Sequence, residues 1–195
     1  MKITKIFLIT AVMSVMSAVL AVTSCSEVPK STYDDLRSRS AGIEDHILLE
    51  VATYIDNYKA ASELYKSLAS KDWIVVYRPN AAETLSRYDK TLSIRSIIYF
   101  DPSVGAVMET GIASPADVLL HEMLHVREVT EKEMALRVYP TEHELYVISL
   151  ERELYHSMNT EDGKTRPQRH AHTGILYRAA CATCPYPRQP LELVK

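Results

Sequence analysis

The apolar positions of the chain change rhythm several times, and each rhythm predicts an element. From 43 to about 68, Ile47, Leu48, Val51, Tyr54, Ile55, Tyr58, Leu64, Tyr65 and Leu68 are spaced mainly by three and four residues. One face of a helix has that spacing, so a single long amphipathic helix is predicted. Its other side is mixed in charge (Glu50, Asp56, Lys59, Glu63, Lys66), as a solvated face is. Upstream, Ser31-Thr32-Tyr33-Asp34 has the spacing of a capped helix start, and Gly42 interrupts or bends that helix.

The pattern then becomes β-like. Trp73-Ile74-Val75-Val76-Tyr77 is aromatic and β-branched and is stopped by Pro79-Asn80. Ile94 to Phe100 (IRSIIYF) is a second strand ended by Asp101-Pro102, and 104–109 is a third, closed by Gly111. The stretch between the first two reads as a polar connector, and the three strands as one small sheet.

Helical signals return at Ser114-Pro115-Ala116-Asp117, with Ser as cap, Pro at the first helical position and Asp within the first turn. This helix is expected to reach about Thr130. Another comes after Tyr139-Pro140, where Thr141-Glu142-His143-Glu144 has the form of a capping box, and runs to about Ser157. Beyond it turns and charge prevail, with one short regular piece at 175–180. The fold class is α+β.

The first residues do not fit this domain. Met1 to Lys5 hold two lysines, 6–22 are apolar or small, and Val22-Thr23-Ser24 leads into Cys25. That is an export signal over 1–24. It resembles a bacterial lipobox, which implies cleavage before Cys25, acylation of its thiol, a linker over 25–32 and a domain over 33–195. Ser26 is not the Asp of an inner-membrane retention signal, so the resemblance points to an outer-membrane lipoprotein in the cell envelope. Contact with the membrane is then through the lipid anchor only. In an oxidising compartment Cys181 and Cys184 are expected to form a local disulfide. The 195 residues suffice for one domain, and a net charge of -3 excludes a strong basic field for nucleic acid.

The chemistry lies in His121-Glu122-Met123-Leu124-His125. On a helix the two histidines project from one face, one turn apart, and two imidazoles so placed can share a Zn²⁺. Glu122, beside the first ligand, can act as general base towards a water at the metal without ligating it. Val118, Leu119, Leu120, Met123, Leu124 and Val126 make the helix apolar around most of its circumference, so it is a buried one.

A third ligand is expected from the next helix, which offers Glu142, His143, Glu144 and Glu151. Stepping 100° per residue, Val147, Ile148, Leu150 and Leu154 define its apolar face, and Glu144 and Glu151 fall on it while Glu142 points away. Glu144 is the predicted ligand, with Glu151 as the partner behind a ligand or as an alternative to Glu144. The competing role for Glu144 is capping its own helix start with Thr141. The logic resembles that of the gluzincins, such as the thermolysin group, and implies a zincin-like arrangement.

A family resemblance rests on Ile97-Ile98-Tyr99-Phe100-Asp101-Pro102, Gly111 and Leu119-Leu120-His121-Glu122-Met123-Leu124-His125. These are similar to the NleD-type effector metallopeptidases, over roughly 73–172 and specifically only around the HExxH. The resemblance implies a zinc peptidase acting on a peptide or protein substrate. Two departures stand out: this chain has an export signal, and Val126 comes after the second histidine where alanine is common. The family's intracellular substrates are therefore not carried over.

A transition-state donor is not singled out. Tyr139, Tyr146, Tyr155, His156, Arg166, Arg169, His170 and His172 are all candidates. The resulting reading is a zinc metalloendopeptidase, with 104–109 as an edge strand that aligns the substrate. The rival is a surface lipoprotein that binds zinc or a partner without catalysis.

Overall fold

The structure is a computed structural model; it describes residues 31–88, 93–130, 141–170, 175–188 and 193–194. The expected signal segment and the Cys25 acylation site lie outside the described residues, as do Tyr139 and His172. Among the described residues no helix is long and apolar enough to cross a membrane.

The described residues begin at Ser31. Its hydroxyl accepts the Asp34 amide at 3.1 Å and caps α1 (Thr32–Arg39). The short strand β1 (Ser40–Ala41) comes next, and Gly42 turns the chain at φ +77°. A side chain there would be strained, and its Cβ would press on Tyr77 Cβ at 3.1 Å.

The single long helix expected over 43–68 is in fact two. α2 (Asp45–Asp56) and α3 (Lys59–Ser67) part at Asn57-Tyr58, where Tyr58 is extended with φ -123° and ψ 123°. Ile55, Tyr58, Ala61, Leu64 and Tyr65 all enter the same core. The apolar spacing therefore runs across the break unaltered, and no Gly or Pro marks it.

β2 (Asp72–Tyr77), β3 (Ala82–Tyr88) and β4 (Ile94–Phe100) complete a four-stranded sheet of order β1-β2-β4-β3. β1, β2 and β4 are parallel, and β3 runs antiparallel along the edge, pairing Ala82 with Phe100 through to Tyr88 with Ile94. The stretch expected as a polar connector is thus a strand. The expected single sheet is also corrected. β5 (Val104–Met108) lies in a separate antiparallel sheet, between β6 (Gly111–Ala113) and β7 (Ile175–Arg178). The chain is redirected at Asp101, whose carboxylate accepts from the Asn80 and Ser103 amides and from Arg178. Gly105 lets β5 pass its neighbours closely: a Cβ would meet Ala113 O at 2.5 Å and the Tyr177 ring at 2.6 Å.

Two further helices bring the helix count among the described residues to five. α4 (Pro115–Glu128) is buried at every position from Pro115 to Val126. α5 (Thr141–Asp162) extends past the expected end near 157. One core joins Trp73, Val75, Ile98 and Phe100 of the first sheet to Leu119, Leu120, Met123 and Leu124 of α4 and to Val147, Leu154 and Met158 of α5. A smaller cluster of Ala106, Met108 and Ala113 packs on Val118. The α+β class holds, and α4 is its centre.

Candidate metal centre

α4 is fixed at its start by reciprocal bonds: Ser114 Oγ accepts from the Asp117 amide at 3.1 Å and Asp117 Oδ2 accepts from the Ser114 amide at 3.1 Å. Three further attachments hold the same turn. The Ala116 amide donates to Ala182 O at 2.8 Å, Tyr155 Oη donates to Asp117 O at 2.9 Å, and Tyr54 Oη donates to Asp117 Oδ1 at 2.5 Å. The first of these comes from the loop closed by the Cys181–Cys184 disulfide. A helix so anchored presents its later turns in a defined rotation, and those turns carry His121 and His125.

The histidines converge with Glu144 of α5. His121 Nε2 lies 3.1 Å from His125 Nε2, Glu144 Oε1 lies 3.5 Å from His121 Nε2, and Glu144 Oε2 lies 3.3 Å from His125 Nε2. The site is inside the protein: the His121 and His125 side chains are 1% and 4% exposed and that of Glu144 is 16%. The three residues form a group able to hold a metal ion. The donor set tests which ion fits. Ligand bonds of about 2.0–2.1 Å in a tetrahedron put neighbouring ligand atoms about 3.3 Å apart. The two histidine nitrogens are near that separation, each with a different Glu144 oxygen at a similar distance, and two imidazoles with one carboxylate suit a borderline-soft cation, of which Zn²⁺ is one, better than an oxygen-seeking one.

The Glu144 carboxylate turns to the histidines, and the residues just before Thr141 lie outside the described residues. Glu142 is exposed and turned away. Glu151 stands behind the site and is not among the converging ligand atoms: its Oε1 is 3.3 Å from His121 Nδ1, the ring nitrogen opposite the metal side. Arg169 holds Glu151 through two bonds, Nε to Oε2 at 2.8 Å and Nη2 to Oε1 at 3.0 Å. A carboxylate on the outer nitrogen fixes the imidazole tautomer and ring orientation and raises its basicity.

These carboxylates set the charge of the site. Burial opposes a charged His121, but hydrogen bonds to Glu144 and Glu151 outweigh it and raise the pKa to about 9. Burial likewise opposes ionised Glu144 and Glu151. The histidines beside the first, and His121 with Arg169 beside the second, hold both carboxyls below the usual range. Without metal, a proton on His121 occupies the electrostatic role of a cation. Glu122 is buried as well, 3% exposed.

Several candidate donors are committed elsewhere. Tyr155 is fully buried and bonded to Asp117 O, and burial pushes its pKa far up. Arg166 bonds Tyr54, Asn159 and Asp162, and Arg169 bonds Glu151. Tyr146, His156 and His170 are exposed. The fold brings two further residues to the site, Thr84, which sequence reasoning missed, and His143, which it named only among the third-ligand candidates. Thr84 of β3 donates its hydroxyl to Glu122 O at 3.2 Å, so the edge strand runs beside the HExxH turn. His143 is 5% exposed and its Nε2 lies 3.2 Å from His125 Nδ1. The signal for His143 was in the sequence: it precedes Val147 by one turn and shares its buried face. For Thr84 there was none, because its strand reads as a connector. No protein-family model, no curated protein and no solved structure matches this chain.

Proposed function

We propose that the chain is a zinc metalloendopeptidase of zincin-like arrangement, with His121, His125 and Glu144 as ligands and Glu122 as general base. The observation that carries the reading is the convergence of two imidazole nitrogens, 3.1 Å apart, on the Glu144 carboxylate, with Glu122 one residue from the first ligand.

Zn²⁺ held there supplies a Lewis acid for a carbonyl oxygen and acidifies water. Glu122 takes a proton from the attacking water at its carboxylate and hands it to the leaving amine nitrogen. Glu151, backed by Arg169, keeps the His121 ring turned to the metal. Substrate alignment falls to β3 and not to β5. β5 is paired on both sides, whereas β3 pairs only with β4 among the described residues and touches Glu122 through Thr84. An extended peptide can add to such an edge by main-chain hydrogen bonds. The resemblance to the NleD-type peptidases belongs to this reading, as does the outer-membrane lipoprotein anchor at Cys25. The Cys181–Cys184 disulfide is consistent with an oxidising compartment.

The test is an unbiased peptide-library cleavage assay with zinc content measured in parallel. Glu122→Gln should keep its zinc and lose about 10²–10⁴-fold in cleavage rate. Zinc retained with cleavage unchanged in Glu122→Gln would overturn the mechanism. Zinc bound by a wild type that cleaves no library peptide would favour the non-catalytic zinc lipoprotein.

A further inference from the structure

The two ligand histidines are braced differently. His121 has a carboxylate at its outer nitrogen, Glu151 Oε1 at 3.3 Å. His125 has an imidazole there, His143 Nε2 at 3.2 Å from its Nδ1. The His125 and His143 ring centroids are 5.3 Å apart with the planes tilted by 32°, so the rings meet edge to edge through nitrogen rather than stacking. His143 lies within the first turn of α5, the turn that also carries Glu144.

We propose that His143 is a positioning residue for the metal centre: its Nε2 accepts the Nδ1 proton of His125 and so aims the Nε2 lone pair of His125 at the cation. The assignment rests on the proposed metal centre and adds the direction of one proton. His125 Nε2 faces His121 Nε2 and Glu144 and must be unprotonated to ligate. The imidazole proton of neutral His125 is then on Nδ1, and the atom facing it must accept. His143 can accept at Nε2 only as the neutral tautomer that carries its own proton on Nδ1. An imidazole is a neutral acceptor, weaker than the carboxylate behind His121, so the two ligands differ in basicity by construction. One turn of α5 thus supplies both a ligand, Glu144, and the brace for another, and a shift of that turn moves both together.

The experiment is a zinc competition titration on the purified protein against a chromophoric chelator, with cobalt absorption spectra of the same variants. His143→Leu should weaken zinc by about 10–100-fold, as loss of an outer partner of a ligating histidine does, and should alter the cobalt bands. His143→Gln, whose amide oxygen can accept the same proton, should recover most of the affinity and the wild-type spectrum. The proposal is overturned if His143→Leu binds within about twofold of wild type, or if His143→Gln is as weak as His143→Leu. In zinc-loaded wild type labelled with ¹⁵N-histidine, a through-bond coupling between His125 Nδ1 and His143 Nε2 should be seen; its absence also overturns the proposal. That measurement needs no variant to fold. A wild type that binds no zinc overturns the metal centre, and this proposal with it.

Discussion

α4 and α5 enclose two buried polar clusters, one at each end of their contact, and they are built on opposite principles. At the start of α4 and the end of α5, Arg166 lies 3.4 Å from Asp117 and 3.0 Å from Asp162 and donates to Asn159 and Tyr54. It also lies over the Tyr58 ring at 4.5 Å. Its cation is permanent, and the anions around it hold it even more firmly protonated than usual. One turn further along α4, His121 is balanced against Glu144 and Glu151 by a proton that can leave. A guanidinium gives a joint that nothing can enter. An exchangeable proton between two imidazoles and a carboxylate gives a place that a metal ion can take. Burial and charge are alike in the two clusters, so neither quantity identifies the site; the exchangeability of the counter-charge does.

The largest expected effect is at the exchangeable cluster. Glu144→Gln or His121→Ala removes one of the three proposed ligands, and zinc affinity should fall well beyond the about 10–100-fold that loss of an outer partner costs. The metal-free fold should survive, because the α4–α5 joint at Arg166 is untouched. Isothermal titration with zinc, alongside thermal unfolding in chelator, reads both quantities. Tight zinc binding by Glu144→Gln would move the third ligand elsewhere and end the comparison.

The next effect is the converse. Arg166→Met leaves Asp117 and Asp162 without their guanidinium, and truncating one member of a buried charge pair costs about 3–5 kcal/mol. Arg166 and Asp117 are 6% and 4% exposed, so little of that is recovered by solvent. Chemical denaturation of the metal-free protein should register the loss, while zinc affinity at the other cluster stays nearly unchanged. If Arg166→Met lost zinc as severely as Glu144→Gln, the two clusters would be one unit.

Much of this is legible in the sequence. The Ser114-Pro115 start, the burial of α4 and the His121–His125 pair come from local spacing, which survives folding because helix geometry is fixed. Glu144 and Glu151 are both placed by one rule, an acidic side chain on an apolar face. That rule cannot say which carboxylate ligates and which stands behind. The difference is one of rotation between helices, and it also depends on Arg169, a partner 18 residues away. The break at Asn57-Tyr58 is hidden because both helices feed one core in the same phase. β3 is hidden because Ala82–Tyr88 (AETLSRY) is poor in β-branched residues and turns Glu83, Leu85 and Arg87 to solvent, as an edge strand does. Its pairing with β4 is a tertiary fact with no local sign.

The smallest effect separates the clusters by pH. Burial would raise the Asp162 carboxyl, but its hydrogen bonds with Arg166, the Lys164 amide and Tyr58 outweigh that and hold it below its ordinary 3.8. A carboxyl whose pKa is lower in the folded state than in the unfolded one binds fewer protons when folded. Its contribution is therefore present above about 3.8 and is lost as pH falls towards the folded value. The melting temperature of the metal-free wild type should decline on acidification below about pH 4. In Arg166→Met the decline should be shallower, because the strongest of the bonds that lower Asp162 is gone and only those to Tyr58 and the Lys164 amide remain. Glu144→Gln should remove a different share of the limb, that of Glu144 itself, whose carboxyl is also held below its usual range, and leave the share that belongs to the joint. An acid limb unaltered by Arg166→Met would mean that the carboxyl at the joint is not held by its guanidinium, and the contrast between a fixed and an exchangeable counter-charge would fail.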